Sequence, residues 1–340
     1  MDNHAAPISR REFLKVISAG AGMAALAGVG LARQRTSKVA VIRQIRMLLG
    51  TRISITVHHD KMPLAERAIA EAFAAIERVD RVMSIHRADS DIAKVNLAAG
   101  RSEVAVDPML PSVIAVAAEA NRLTDGAYDV TCLPIMRMYG FYRTGGPLHY
   151  PSDRVLKTSL DAVGVRHLVV DQTTSRIGLM RKGAAIDLGS IGKGYAADLA
   201  GAALRAAGIE HGLIDAGGNV LAIGAPHPVI DPSGTWQVAI RNPAGSTDAP
   251  FFETVQLRDQ AVATSGNYEN SVVLDGRRVG HIFDAITARP IDSGISATVV
   301  AADATLSDAL STSAFLLGRS CVERLRGVTQ AVYFHEYPVA

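Results

Sequence analysis

Residues 184–219 constrain this chain more than any other stretch. They read AAIDL, GSIGKG, YAADLAGAALRAAG, IEHGLID and AGGNV, a pattern of strand, glycine-rich loop, helix, strand and tight turn. Residues 184–188 are apolar apart from Asp187 and predict a strand. Residues 195–207 are rich in Ala and Leu and stop at Gly208, as a helix does. Residues 211–215 form a second short strand, closed by Ala216-Gly217-Gly218-Asn219. An acid at a strand end, a loop of backbone N–H groups and Lys193 at a helix start together suit a phosphorylated ligand. Two familiar phosphate loops do not fit. Lys193 is followed by Gly194 rather than Ser or Thr, and Gly189, Gly192 and Gly194 give G-x-x-G-x-G, the reverse of the dinucleotide fingerprint. The loop alone therefore leaves two readings open, a phosphate cradle or a tight turn whose glycines let the backbone pass.

A chain of 340 residues that is 48% hydrophobic is long enough to bury a large core, in one domain or two lobes. A formal charge of +2 points to neither a nucleic acid nor an acidic partner surface. Cys132 and Cys321 lie far apart without metal-ligand spacing and read as buried thiols rather than a zinc site or a disulfide. The front end is more specific. Ser9-Arg10-Arg11-Glu12-Phe13-Leu14-Lys15 fits the twin-arginine export pattern, and residues 16–31 form a short apolar h-region. Small residues around Ala32 predict cleavage there, so residues 1–32 read as a signal peptide and residues 33–340 as the exported domain. No Cys stands near that point, which argues against a lipid anchor. The expected location is the periplasm.

From residue 50 onward helices and strands are interspersed, and the expected fold class is α+β, mixed sheets with packed helices. Residues 52–57 alternate as a half-buried strand. His58 and His59, at its end, point to opposite faces and read as surface residues. Residues 63–83 form a long amphipathic helix, and residues 111–123 another. Residues 151–165 carry a helix and residues 167–170 a strand. Strands follow at 236–240, 255–257 and 261–263, a hairpin turn at Asp275-Gly276, a strand at 296–301, a helix at 307–317 and a last strand at 330–334. Asp308 and Thr312 are four apart on a predicted helix and share a face. They suit Mg²⁺, which takes hard oxygen ligands and shares phosphate oxygens, or they are a helix cap and a hydroxyl bonded to its own backbone.

Five blocks decide between such alternatives. DLGSIGKGYAAD, DGAYDVTCLP with Asp129, the TSGNY run at 264–268, HIFD at 281–284 and SDALST at 307–312 resemble, in the same order, the blocks of the FAD:protein FMN transferases, the ApbE family. The likeness runs from about Gly50 to the C-terminus and implies a two-lobed ApbE-like fold with the active site in a cleft. It also assigns residues. Asp308, Thr312 and an oxygen of Ser190 are implied Mg²⁺ ligands, and Asp187 and Lys193 fall on FAD-contacting positions. Ala127, Tyr128, Asp129 and Ile282 lie in blocks that contact FAD. Leu49 stands where the family has a Met near the flavin, and His86 where it has a flavin-flanking Tyr. His281 with Asp284 is the candidate base pair for the attacking hydroxyl. Asp284-Ala285-Ile286-Thr287-Ala288-Arg289-Pro290 departs from the family's D-P-x-T-G-x-P, so the turn there is expected to differ.

The implied reaction is Mg²⁺-dependent transfer of FMN from FAD to a Ser or Thr hydroxyl of an acceptor protein, with release of AMP. The expected acceptor is a respiratory membrane flavoprotein with an FMN-binding domain. Two other readings stand beside it, a Mg²⁺-dependent FAD pyrophosphatase and an exported FAD-binding protein without catalysis. The chain also holds an acceptor-like run, Asp292-Ser293-Gly294-Ile295-Ser296-Ala297-Thr298. It lies in a predicted apolar strand, so Thr298 is expected to be structural rather than self-modified.

Overall fold

The structure is a computed structural model that describes residues 38–142, 148–245, 249–268, 270–291 and 293–338. The signal-peptide reading of residues 1–32 lies outside the described residues, as does Asp292. Seven strands make the main sheet: β1 (Ala40–Leu48), β2 (Thr51–His59), β3 (Gly212–Ala216), β4 (Asn219–Ile223), β5 (Ala261–Gly266), β6 (Ile295–Ala301) and β7 (Ala331–Glu336). They lie in sequence order, each antiparallel to the last. The topology is a meander with long insertions between its strands. The insertion after β2 carries α1 (Met62–Met83), α2 (Asp91–Leu97), α3 (Met109–Leu123), α4 (Leu133–Met138), α5 (Asp153–Leu160) and α6 (Gly192–Ala206). The one after β6 carries α7 (Ala304–Leu317). Among the described residues no helix is long and apolar enough to cross a membrane.

Helices α1, α6 and α7 cover one face of the sheet side by side, α1 against β1 and β2, α6 against β3 and β4, and α7 against β4, β5 and β6. Their apolar stripes bury Ile69, Phe73, Ile76, Leu204, Leu310 and Phe315 against Ile53, Ile55, Ile214 and Val299. The hairpin Trp236–Arg241 with Phe251–Leu257 covers the other face, closing Trp236, Ile240, Val255 and Leu257 over Val220, Ala222, Val262 and Val300. A third, smaller core gathers Ile135, Met136, Tyr139 and Phe141 with Leu274, Val279 and Phe283 from two short hairpins between β5 and β6. This satellite core is separate from the two that flank the main sheet.

Several elements differ from the sequence pattern. Residues 184–188 are not a strand, and their ladder is a single bridge between Ala185 and Cys132. A side chain replaces the missing partner. The Ile186 amide donates to Asn96 Oδ1 at 2.7 Å, and Asn96 Nδ2 donates to the Ile186 carbonyl at 2.9 Å. β1 and β4 escape the pattern altogether. β1 is an edge strand whose Val41, Ile45 and Met47 are exposed, so neither face alternates cleanly. β4 is buried along its length and shows no polar alternation at all. α5 is shorter than expected, with a 3₁₀ turn at Val165–His167 after it. α7 begins three residues early because Asp303 caps it, accepting from the Leu306 amide at 2.8 Å. Asp308 is therefore not the cap of this helix. The cysteines are free thiols, Cys321 buried.

His58 overturns its surface reading. It is 5% exposed, packed 4.9 Å from the ring of Trp236, and its Nδ1 accepts from the His227 amide at 3.2 Å. Burial first, then the imidazoles of His211 and His227, push its pKa down from 6.5 to about 4, with Asp231 opposing them. The folded protein thus binds this proton less readily than the unfolded chain. Stability from neutral His58 is complete above pH about 6.5 and is lost as pH falls towards about 4. At about 1.36 kcal/mol per pKa unit, discounted for partial solvent screening, the loss is about 1–2 kcal/mol. Trp236 is the one tryptophan of the chain, so its emission reports unfolding in denaturant at either pH. His58→Asn keeps an acceptor near the Nδ1 position and should flatten the pH dependence by that amount. An unchanged difference between the two pH values would assign the effect elsewhere.

Candidate active site

The blocks singled out in the sequence meet at one end of the sheet, the end that holds the β1–β2 and β3–β4 turns. Leu49 and Gly50 form the two-residue turn between β1 and β2, both with positive φ, 52° and 69°. Leu49 is half-buried against the main core, and its neighbour Thr51 abuts Gly217 in the β3–β4 turn. Register places Ser265 and Gly266 beyond the start of β4, at this same end.

Asp308 is the centre of the arrangement. It is 4% exposed, and its Oδ2 accepts from the Gly194 amide at 2.9 Å at the start of α6. Burial pushes its pKa above the usual carboxylate range, opposed by the Lys193 ammonium and by the amides of Gly194 and Lys193. One turn on, Thr312 Oγ1 lies 3.0 Å from Ser265 Oγ, which also meets Ser311 Oγ at 2.8 Å. The TSGNY run thus contributes a hydroxyl to the helix face that carries Asp308 and Thr312. Ser190 Oγ donates to the buried Tyr128 hydroxyl at 3.1 Å, and Asp308 lies close enough to Tyr128 to raise its pKa further, beyond the effect of burial.

The central loop supplies the second group. Asp187 is buried, its Oδ1 accepting from the Gly189 amide at 2.8 Å and its Oδ2 from the Tyr142 hydroxyl at 2.9 Å. Lys193 Nζ donates to the Gly189 carbonyl at 3.0 Å and folds the GSIGKG loop back on itself. The α6–α7 contact beneath is tied by Asp198, the last residue of the DLGSIGKGYAAD block. Its carboxylate accepts from the amides of Ala304 and Thr305 at 2.8 and 2.7 Å, closing the N-terminus of α7.

His281 lies within electrostatic reach of this group. Burial lowers its pKa, and Lys193 lowers it further while Asp187 raises it. Its Nδ1 is 3.2 Å from the Asn270 carbonyl, which only accepts, so Nδ1 carries the proton and Nε2 the free lone pair. The expected His281–Asp284 pair is not formed. Asp284 Oδ1 accepts from the amides of Ile286 and Thr287 at 2.7 and 3.3 Å, so the carboxylate closes its own turn. Asn267 sets that segment instead, accepting from the Ile282 amide at 3.3 Å and donating to the Ile291 carbonyl. Ile282 is buried in the main core.

Asp129 also has protein partners for both oxygens. Oδ1 accepts from the Thr131 amide and hydroxyl at 2.8 and 2.7 Å, and Oδ2 from the Val165 amide at 3.0 Å. It shapes the loop that carries Ala127 and Tyr128, and the Ala127 carbonyl accepts from the Ala285 amide at 3.3 Å. His86 is exposed and edge-on to Tyr142, ring centroids 5.2 Å apart. Thr298 is fully buried in β6 and shares a 2.8 Å hydrogen bond with Thr264, as a structural residue does. An open depression of about 760 Å³ between α3 and residues 165–172 holds none of these side chains.

Among the described residues no three His, Cys, Asp or Glu side chains come together as a metal site. The donor set around Asp308 is different in kind: one carboxylate and the hydroxyl of Thr312 one turn on, with Ser190 joined to the group through the Tyr128 hydroxyl. That set fits a hard cation that takes further oxygens from water and phosphate, as Mg²⁺ does.

A profile of the ApbE family matches residues 49–332. The chain belongs to the ApbE family. The FAD:protein FMN transferase of Treponema pallidum is 31% identical over 312 residues, 87% of this chain and 84% of that protein. One from Klebsiella pneumoniae is 30% identical over 274 residues, 80% of this chain and 81% of its own. Among solved structures, the ApbE protein of Thermotoga maritima superimposes with a TM-score of 0.76 at 29% identity, covering 87% of this chain and 97% of that one. The Vibrio cholerae flavin transferase ApbE gives 0.72 at 26% identity, covering 87% and 93%. The ApbE-family blocks are thus brought together at one end of the sheet. Asp198, Ser265 and Asn267, which join them, stand inside the recognisable blocks but carry no signal of their own in spacing, and Asn96 stands outside all five. Tyr142 stands in none.

Proposed function

We propose that the chain is a FAD:protein FMN transferase that moves FMN from FAD to a Ser or Thr hydroxyl of an acceptor protein. The observation that carries the reading is the junction of Asp308 with the start of α6, where a buried carboxylate, Lys193 and two hydroxyl side chains gather beside the glycine loop. A pyrophosphate is the ligand class that such a mixture of positive charge, amides and hard oxygens suits. Asp308, Thr312 and Ser190 would hold Mg²⁺, whose chemistry here is neutralisation of phosphate charge. Lys193 attracts a phosphate oxygen as a point charge. The acceptor hydroxyl attacks the phosphorus on the FMN side, the bond to the AMP oxygen breaks, and AMP leaves. His281 Nε2, neutral because burial disfavours imidazolium, takes the hydroxyl proton. A base so placed contributes roughly 10²–10⁴-fold. Positioning carries most of the remainder.

The twin-arginine pattern at Arg10-Arg11 supports export of the folded enzyme to the periplasm. The acceptor is then an FMN-domain flavoprotein of a respiratory membrane complex. Incubation of the chain with FAD, Mg²⁺ and candidate acceptors, followed by mass spectrometry, tests the reading. The expected result is one FMN joined to an acceptor Ser or Thr and an equal amount of AMP. AMP with free FMN, and no adduct on any acceptor, would make the chain a pyrophosphatase. FAD bound and recovered intact would make it a carrier.

A further inference from the structure

Tyr142 lies outside every block that carries the family likeness, yet three observations converge on it. Its hydroxyl donates to Asp187 Oδ2 at 2.9 Å. Its ring meets that of His86 at 5.2 Å between centroids and 69° between planes. Its backbone has φ 69°, in the left-handed region that bulky aromatic residues rarely occupy. Tyr142 is 48% exposed, so core burial does not account for holding it there. Strained backbone of this kind persists where neighbours fix it, and it concentrates at ligand sites.

Those neighbours lead into the site. The other oxygen of Asp187 accepts from the Gly189 amide at 2.8 Å, so the Tyr142 hydroxyl fixes the carboxylate that anchors the glycine loop. On the other side Tyr142 and His86 are both exposed, and they stand as two walls of an aromatic corner. Rings this close leave no slot between them for a third. A flat tricyclic ligand instead stacks on one exposed face and meets the edge of the other ring, the two arrangements aromatic groups favour.

We propose that Tyr142 is a positioning residue for the flavin, its ring forming with His86 the corner that receives the isoalloxazine and its hydroxyl fixing Asp187 and the loop at the pyrophosphate end. The proposal rests on the reading of FAD as substrate. The test is titration of the full-length chain and two variants with FAD, followed by the difference spectrum of the long-wavelength flavin band and by steady-state kinetics. Glycine is at home at this φ, so Tyr142→Gly is expected to fold, the relieved backbone strain offsetting part of the cost of the lost bond to Asp187. Its Kd for FAD should rise roughly tenfold or more, with the stacking-induced band shift lost. Tyr142→Phe keeps the ring and should keep the band shift and the affinity, while kcat falls several-fold because Asp187 is no longer fixed. A Tyr142→Gly variant that binds FAD with unchanged affinity and an unchanged difference spectrum overturns the inference. If the unsubstituted chain shows no flavin difference spectrum, the reading of FAD as substrate is what fails, and the inference falls with it.

Discussion

Asp308→Asn is expected to reduce FMN transfer by roughly a thousandfold or more, about 4 kcal/mol of transition-state stabilisation, while the protein remains folded. The sequence suggests an exposed cleft carboxylate that tolerates truncation. The structure shows a side chain 4% exposed and bonded to the Gly194 amide, which changes the choice of variant. Alanine would leave that amide without its partner, at a cost of about 1–3 kcal/mol, and would mix a folding defect with a chemical one. Asparagine keeps the volume and an acceptor for Gly194 and removes only the charge. Burial already disfavours that charge, as the raised pKa of Asp308 records, so a neutral amide does not destabilise the free protein. The measurement is transfer rate against Mg²⁺ concentration, with a thermal melt beside it. Normal transfer at limiting Mg²⁺ would remove Asp308 from the cation site.

The elements that were legible in the sequence are those whose burial is one-sided. α1 shows its stripe because one face meets the sheet and the other meets water. β4 shows none because helices cover one face and the Trp236 hairpin the other. Residues 184–188 mislead for a physical reason too. Their apolar side chains are buried as a strand's would be, but the backbone is satisfied by Asn96 and by the Val130 carbonyl rather than by a neighbouring strand. Hydrophobic pattern records what the side chains meet, and it is silent on where the backbone hydrogen bonds go.

The same limit shapes the site. The family blocks name Asp308, Thr312, Ser190, Lys193 and His281, and the fold brings them to one end of the sheet. What the blocks leave out is how each is held. The Asp284 carboxylate sits three residues from His281, yet the turn from Asp284 to Thr287 takes it up and the Asn270 carbonyl orients the imidazole. Asp129 resembles a ligand by position and serves as a loop brace by geometry. Such partnerships join residues distant in sequence, and only coordinates reveal them.

Gly194→Ala is expected to destabilise the protein by about 1–3 kcal/mol and to reduce transfer with it, although local propensity has the opposite sign. Alanine is the better helix former by about 1 kcal/mol in a helix interior. Packing overrides that gain. A Cβ built on Gly194 lies 2.1 Å from the Ala304 carbonyl oxygen and 2.8 Å from Asp308 Cβ. The first contact is backbone in the opening turn of α7, which Asp198 pins in place, so it cannot rotate aside. The helices must part instead, and overpacking of this kind costs about 1–3 kcal/mol or more. Parting them also lengthens the 2.9 Å bond from Gly194 to Asp308, the residue around which the proposed cation site is built. Gly192 provides the control two residues earlier in the same helix start, because a Cβ there meets nothing within 4 Å. Denaturant unfolding of the two variants should therefore separate them, with Gly192→Ala close to the unsubstituted protein and Gly194→Ala far below it. Equal stabilities would mean that α6 and α7 do not approach as closely as this glycine allows, and the proposed cation site would then need another frame.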